Sequence, residues 1–398
     1  MPEYERIPIV TYVAIPKSID DLTKSWLQSA LSHSTNESIG QIERLDIETI
    51  GTGVGLIGCL YRCNLTYESD QNAGPASVVV KIRSDVPESR KVAKTFQLYE
   101  KEVAFYRDMA TATPIAVPHP YFCAFDSQTH DFVLVLEDLN DFQVTSQLEG
   151  GTEEQARIAI RNVATLHGTF WNRTNEPPLR NYFSLLEPSV ILKMHVGFRR
   201  SVPKVLEVFD ADLSPSSKKL IRALGDTFAG HYDEIGNFPL TLTHNDYRLD
   251  NMFFGNTDER ELVVIDWQTH GIGVGMTDVA YFMAGSLPSD VRKKVEKELV
   301  AEYHDITSRI GNAEWSETEC WEAYRQSFVV AMTVPVIAAG ELSLEIEGAF
   351  ELVQTGIQRM NTALDELEVA EFMPQRKSIF SKPGLRSAFA NQLTRFVS

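Results

Sequence analysis

The sequence predicts an α+β chain in two parts, a strand-rich first third and a mainly helical remainder, and two observations carry that prediction. Alternating or β-branched runs bounded by turn residues crowd into residues 50–139. After Glu137-Asp138-Leu139 the apolar residues recur at helical spacing for most of the remaining length. Strands return only around one polar motif, in residues 240–268. The change of pattern sets the expected domains at 1–139 and 140–398, and a chain of 398 residues is long enough for both.

In chain order, Ile15 to Leu31 has helical spacing, with Ile19, Leu22, Trp26, Leu27 and Ala30 near one side. Residues 50–66 begin as a glycine-studded turn, Gly51-x-Gly53-x-Gly55-x-x-Gly58, and continue as a strand through Leu60, Arg62, Asn64 and Thr66. Beyond a polar loop that closes at Pro75, Ser77-Val-Val-Val-Lys-Ile82 is a short β-branched strand. A helix is expected from about Arg90 to Ala110, then a hairpin of Tyr121–Phe125 and Phe132–Leu136. In the second part Thr152-Glu-Glu-Gln155 fits a capping box that opens a helix reaching Phe170. Further helices are expected near 190–209, 216–232, 278–284, 290–311, 317–339 and 345–367, with strands at 240–243, 252–254 and 262–265. The stretch after Met373 carries five Lys/Arg and no acid, and reads as a frayed or docked tail.

Composition excludes several classes. Hydrophobic content of 43% with 23% charged residues suits a globular chain with a buried core. A net charge of −18 without a basic block argues against a nucleic-acid partner. Cys59, Cys63, Cys123 and Cys320 form no Cys-x-x-Cys pair, which suits reduced thiols in the cytoplasm. The first thirty residues contain Glu3, Glu5, Asp20 and Asp21 and do not read as a signal peptide. The longest apolar run, Phe328 to Gly340, is short for a membrane span and contains Pro335, so no membrane partner is expected. No feature points to a particular oligomeric state.

The chemistry is concentrated in His244-Asn-Asp-Tyr-Arg-Leu-Asp-Asn251 and, fifteen residues on, Asp266 at the end of Leu262-Val-Val-Ile. His-x-Asp-x4-Asn followed by an apolar strand ending in Asp is how kinase-type enzymes arrange phosphoryl transfer. Asp246 is the candidate catalytic residue, orienting the attacking hydroxyl and accepting its proton. Asn251 and Asp266 offer oxygen to Mg2+, a hard cation that prefers it. His244 reads as a brace of the loop, and His167 as a satisfied core histidine. Asp250 reads as a stabiliser of the loop.

The strand-rich part supplies the expected companions. Gly51, Gly53 and Gly55 form a candidate nucleotide lid, because glycine lets backbone N–H groups approach phosphate. No Gly-Lys-Ser/Thr follows, and a strand rather than a helix comes next, so neither a Walker A loop nor a dinucleotide turn fits. Lys81, ending Val78-Val-Val, would reach the α- and β-phosphates if an acid on the next helix held it. Glu102 is favoured over Glu100 for that partner. Asp278 looks like a helix start only twelve residues after Asp266, a gap too short for an activation loop and its phosphosite. The acceptor is therefore expected to be a small hydroxylated molecule. Arg199, Arg200 and His195 could meet an anionic group on it or form a solvated face.

Together, residues 50–58, Pro75–Lys81, Glu102-Val-Ala-Phe-Tyr106, Val135-Leu-Glu-Asp-Leu139, 244–251 and Val264-Ile-Asp-Trp-Gln268 resemble the ecdysteroid kinase-like branch of the aminoglycoside phosphotransferase/choline kinase superfamily. The resemblance covers about Ile19 to Leu367. It implies a protein-kinase-like two-lobed fold, with a β-rich N-lobe for nucleotide and a helical C-lobe for catalysis and acceptor. It also implies ATP with Mg2+ and O-phosphorylation of a small-molecule alcohol. In this family the hinge supplies backbone hydrogen bonds to adenine, which implicates Glu137, Asp138 and Leu139. Asn245 stands where Gly is commoner. The alternatives left open are a nucleotide-binding pseudokinase with a regulatory role, a donor such as GTP, and a hydroxyacyl-CoA-type acceptor.

Overall fold

The computed structural model describes residues 13–34, 39–51, 57–69, 74–257, 260–341, 344–345, 348–373 and 382–397. The chain divides into two compact units, the first within Met1–Asp108 and Pro118–Leu139, the second within Met109–Val117 and Asn140–Ser398.

The first unit contains, in order, α1 (Lys24–Ser34), β1 (Ile42–Ile50), β2 (Gly58–Tyr67), β3 (Ser77–Arg83), α2 (Pro87–Phe96), α3 (Leu98–Ala104), β4 (Pro120–Phe125) and β5 (Phe132–Glu137). The five strands make one antiparallel sheet in the order β1-β2-β3-β5-β4. Side chains alternate across it. Val78, Val80 and Ile82 of β3 join Cys63, Leu65, Val133 and Val135 on one face, packed with Leu27, Ala30 and Leu31 of α1. Lys81 therefore points to the other face, where its register partners are Leu60 and Leu134. Strand β1 was not expected from the sequence; of its nine residues only Ile42 is buried, so its apolar signal is diluted. Two expected helices are shorter than their periodicity suggested. Only a 3-10 turn, Ile19–Asp21, precedes α1. The helix expected over 90–110 is interrupted at Gln97, whose φ of 58° ends α2, and it finishes as a π turn over Phe105–Met109.

The second unit contains β6 (Gln143–Val144), α4 (Glu153–Phe170), α5 (Pro188–Val208), α6 (Pro215–Ile235), β7 (Leu240–Thr243), β8 (Met252–Phe254), β9 (Leu262–Val264), β10 (Gly271–Val274), α7 (Met276–Ser286), α8 (Ser289–Gly311), α9 (Glu317–Ala331), α10 (Thr333–Glu341), α11 (Ala349–Glu366) and α12 (Lys382–Val397). The fold is α+β, divided as a protein-kinase-like chain is: a β-sheet N-terminal part and a mainly helical C-terminal part. Thr152 caps α4 with the expected box, its side chain accepting from the Gln155 N–H while Gln155 returns a bond to the Thr152 N–H. The single helix expected over 317–339 breaks at Met332, because Pro335 has no N–H to give and fits only the first turn of a new helix. The basic tail forms α12 and docks, burying Ser387, Ala390 and Thr394. Strands β7 and β10 pair antiparallel, and so do β6, β8 and β9 in that order. Both sets frame residues 244–270. Among the described residues no helix is long and apolar enough to cross a membrane.

Candidate functional site

Residues 244–251 connect β7 to β8, and buried partners hold their backbone. The Asp278 carboxylate, in the first turn of α7, accepts the N–H of His244 at 2.7 Å and of Asn245 at 2.8 Å. Asp278 is 1% exposed, and the His167 ring lies 3.3 Å away, its other nitrogen 3.0 Å from the Tyr303 hydroxyl. His167 is thus a satisfied core histidine, as expected. Asp278 is more than the helix start it was read as: it clamps the loop. The His244 ring gives Nε2–H to the Ile265 carbonyl at 2.9 Å and takes the Asp246 N–H on Nδ1 at 3.2 Å. With both nitrogens used, the ring acts as a brace. Asn245 has φ 65°, in the left-handed region that Asn tolerates better than other non-glycine residues. Its side-chain amide donates to Thr243 Oγ1 at 2.9 Å and to the Thr269 carbonyl at 3.2 Å. A glycine could not make that tie to the segment after Asp266.

Asp246 and Asn251 meet directly. Asn251 Nδ2 donates to Asp246 Oδ2 at 3.0 Å and to the Asp246 carbonyl at 2.9 Å, which leaves Asn251 Oδ1 as an acceptor. Asp266 follows β9 with φ 62°. Pairing of Met252 with Val264, and the 2.9–3.0 Å bonds linking Ile265 to His244 and Asn251, bring Asn251 and Asp266 to the same end of β8 and β9. Gln268 Nε2 donates to Asp266 Oδ2 at 3.2 Å. The three predicted residues of this unit are therefore brought together.

Two residues not predicted from the sequence also touch Asp246. The Tyr281 hydroxyl donates to Oδ1 at 3.2 Å, and Arg248 Nε lies 3.2 Å from the same oxygen. Arg248 also pairs with Asp250, which accepts the Gln147 N–H at 3.2 Å, so Asp250 stabilises the loop as expected. Burial works against the Arg248 charge, but Asp246, Tyr281, Asp250 and Asp266 outweigh it and raise its pKa. Burial first, and then Asp246, push the Tyr281 phenol far up, so it remains a donor at any ordinary pH. Tyr281 lies three residues after Asp278 and shares its side of α7, a spacing that could have flagged it. Among the described residues no three His, Cys, Asp or Glu side chains cluster as a metal cage. An amide oxygen and a carboxylate suit Mg2+, which keeps several waters and uses few protein ligands.

In the first unit, Lys81 Nζ lies 2.8 Å from Glu102 Oε1, with the residues 8% and 1% exposed. Glu100, the competing acid, pairs with Gln97 instead. Gly53 and Gly55 lie outside the described residues. Gly51 has φ 67°, and a Cβ on Gly58 would stand 3.0 Å from the Ile82 carbonyl and 3.3 Å from Lys81 Cε, so glycine there keeps room for the lysine. At the end of β5, the Glu137 N–H is taken by the His119 carbonyl. Arg62 holds the Asp138 carboxylate at 2.8 and 3.3 Å. The N–H groups of Asp138 and Leu139 have no partner among the described residues, and Leu139 is 5% exposed.

The three residues offered for acceptor recognition are engaged elsewhere. His195 bonds Asn391 of α12 at 2.9 Å and takes the Ala229 N–H at 3.1 Å; Arg199 pairs with Asp226 and Asn391; Arg200 lies 3.7 Å from Glu341. His195 and Arg199 thus dock the C-terminal helix, a partner that sequence spacing could not reveal across nearly two hundred residues.

The chain is similar in structure to the ethanolamine kinase of Plasmodium vivax, with 12% identity over 88% of this chain and 90% of that one and a TM-score of 0.48. A microcompartment-associated aminopropanol kinase is 14% identical over 87% and 98% of the two chains, TM-score 0.48. An aminoglycoside 2′-phosphotransferase of type IIIa, solved as its GDP complex, is 14% identical over 88% and 97%, TM-score 0.45. No curated protein matches the sequence. The ecdysteroid kinase-like family profile matches residues 53–309, more than half of the chain and all of the 244–251 loop described above, and the chain belongs to that family.

Proposed function

We propose that the protein is an ATP- and Mg2+-dependent phosphotransferase that moves the γ-phosphate to a hydroxyl of a small molecule. The observation that supports this most strongly is the constellation of Asp246, Asn251 and Asp266, with Asn251 bonded to Asp246 at 3.0 Å. Asp246 orients the acceptor hydroxyl and takes its proton as the O–P bond forms and the bond to the ADP leaving oxygen breaks. Its contribution is largely positioning, because a loose transition state asks for little early proton abstraction. Asn251 Oδ1 and the Asp266 carboxylate would hold Mg2+, which when bound would neutralise charge developing on the phosphates. Lys81, held by Glu102, binds the α- and β-phosphates. Gly51, Gly53 and Gly55 cover them, and the backbone at Glu137, Asp138 and Leu139 receives the adenine.

On this reading residues 1–139 form the nucleotide lobe and 140–398 the catalytic and acceptor lobe. The eleven residues between Asp266 and Asp278 leave no room for a peptide platform, which favours a small alcohol over a protein acceptor. The four unpaired cysteines suit the cytoplasm.

The test is ADP release from Mg2+–ATP with cationic alcohols, steroids, aminoglycosides and hydroxyacyl-CoAs, with Asp246→Asn as control. Turnover with one class that vanishes in the variant is expected. ATP stabilisation without turnover on any acceptor would favour a regulatory nucleotide-binding protein instead.

A further inference from the structure

Arg359, on α11, is a cation without an acidic partner among the described residues. It lies about half buried, and burial lowers its pKa, yet no carboxylate answers it. All three of its hydrogen bonds go to backbone carbonyls: Nη1 to Gln147 at 2.7 Å and Gly285 at 3.0 Å, Nη2 to Leu148 at 2.7 Å. Gly285 lies in the last turn of α7, where unpaired carbonyls favour a cation. Gly150 closes over the guanidinium: a Cβ there would sit 3.0 Å from Nη2 and 2.6 Å from Pro288, at a φ of 85°.

The turn that Arg359 grips leads to the catalytic loop through Gln147, which is 9% exposed. The Gln147 N–H donates to Asp250 Oδ1 at 3.2 Å, and its side-chain oxygen accepts the Leu249 N–H at 3.1 Å and the Ser286 hydroxyl at 3.3 Å. Asp250 pairs with Arg248, and Arg248 Nε reaches Asp246 Oδ1 at 3.2 Å. Leu249 and Asp250 immediately precede Asn251, so the turn fixes the backbone that leads into Asn251.

We propose that Arg359 is a positioning residue for phosphoryl transfer. It acts through the Gln147–Leu148 turn on Asp250 and Arg248, and so on the placement of Asp246 and Asn251. The proposal rests on the phosphotransferase reading. It also gives a catalytic task to a helix beyond residues 53–309, the span matched by the family profile.

The test compares wild type, Arg359→Gln and Arg359→Lys, measuring kcat for ADP release with the same alcohol panel, affinity for Mg2+–ADP, and Tm. Arg359→Gln is expected to lower kcat about 10-fold and leave Mg2+–ADP affinity within about 2-fold. Arg359→Lys, which retains the charge but reaches fewer carbonyls, should recover part of kcat; it also serves if the glutamine variant does not fold. A fall in Tm with kcat within about 2-fold of wild type in both variants would make Arg359 a stabiliser of the fold and overturn the proposal. Equal loss of kcat and of nucleotide affinity would also overturn it, since the site as a whole would then be disturbed. A wild type that binds Mg2+–ADP but is silent on every acceptor would remove the phosphotransferase reading and this inference with it.

Discussion

Asp246 is held by three donors, Asn251, Tyr281 and Arg248, in a loop whose backbone Asp278 clamps from below. Asp246→Asn keeps the size and most of the bonding, so it should reduce kcat by about 10²–10⁴-fold while Mg2+–ATP binding by calorimetry stays nearly unchanged. Lys81→Met makes a different prediction. Removing one member of a buried ion pair strands the other, so stability should fall by about 3–5 kcal/mol, read by urea unfolding. Lys81→Met paired with Glu102→Gln should recover a good part of that loss. If the two single effects simply add, Lys81 and Glu102 are not energetically coupled. The residues legible in the sequence were those defined by short spacing or by a strand end: Asp246, Asn251, Asp266 and Lys81. Asp278, Tyr281 and Gln147 act through space from 33 to 103 residues away along the chain. A linear pattern does not carry such contacts, and only the three-residue spacing of Tyr281 from Asp278 hinted at one of them.

At the scale of elements, α12 docks through His195, whose pKa burial pushes down to about 4 from an ordinary 6.5. Because the folded value is the lower one, the neutral ring's stabilisation is complete above pH 6.5 and is lost as pH falls from 6.5 toward 4. Across that window the loss amounts to about 3 kcal/mol at most. Denaturant melts at pH 7, 5.5 and 4.5 should show it, and His195→Gln should flatten the trend; an unchanged trend would assign it to other groups. Helix α10 packs on α5 where Gly340 faces Ser201, and a Cβ on Gly340 would lie 1.9 Å from Ser201 Oγ and 2.7 Å from its Cα. Gly340→Ala should therefore destabilise by about 1–3 kcal/mol, despite alanine's helix preference of about 1 kcal/mol. Helix existence was legible from periodicity, but breaks at Gln97 and Met332 were not anticipated. A left-handed residue and a proline in a first turn leave the apolar spacing almost continuous across each break. Strand β1 escaped because eight of its nine residues are not buried.

For the whole molecule, the change from a sheet-rich N-terminal part to a mainly helical C-terminal part was legible because apolar period changes from two to about 3.6 after residue 139; that residues 109–117 group with the second unit was not. The docking of the basic tail was left open, since nothing in the segment beyond Met373 names the surfaces of α5 and α6 that receive it. The three residues proposed from the sequence for acceptor recognition bind other parts of the chain. The central claim is transfer of the γ-phosphate to a small alcohol, and the most direct measurement follows that group. With γ-labelled ATP, Mg2+ and the acceptor panel, wild type should place label in an organic phosphate monoester, and Asp246→Asn should not. Label that stays in ATP or appears only as inorganic phosphate with every acceptor would contradict the account, as would equal transfer by the Asp246→Asn variant.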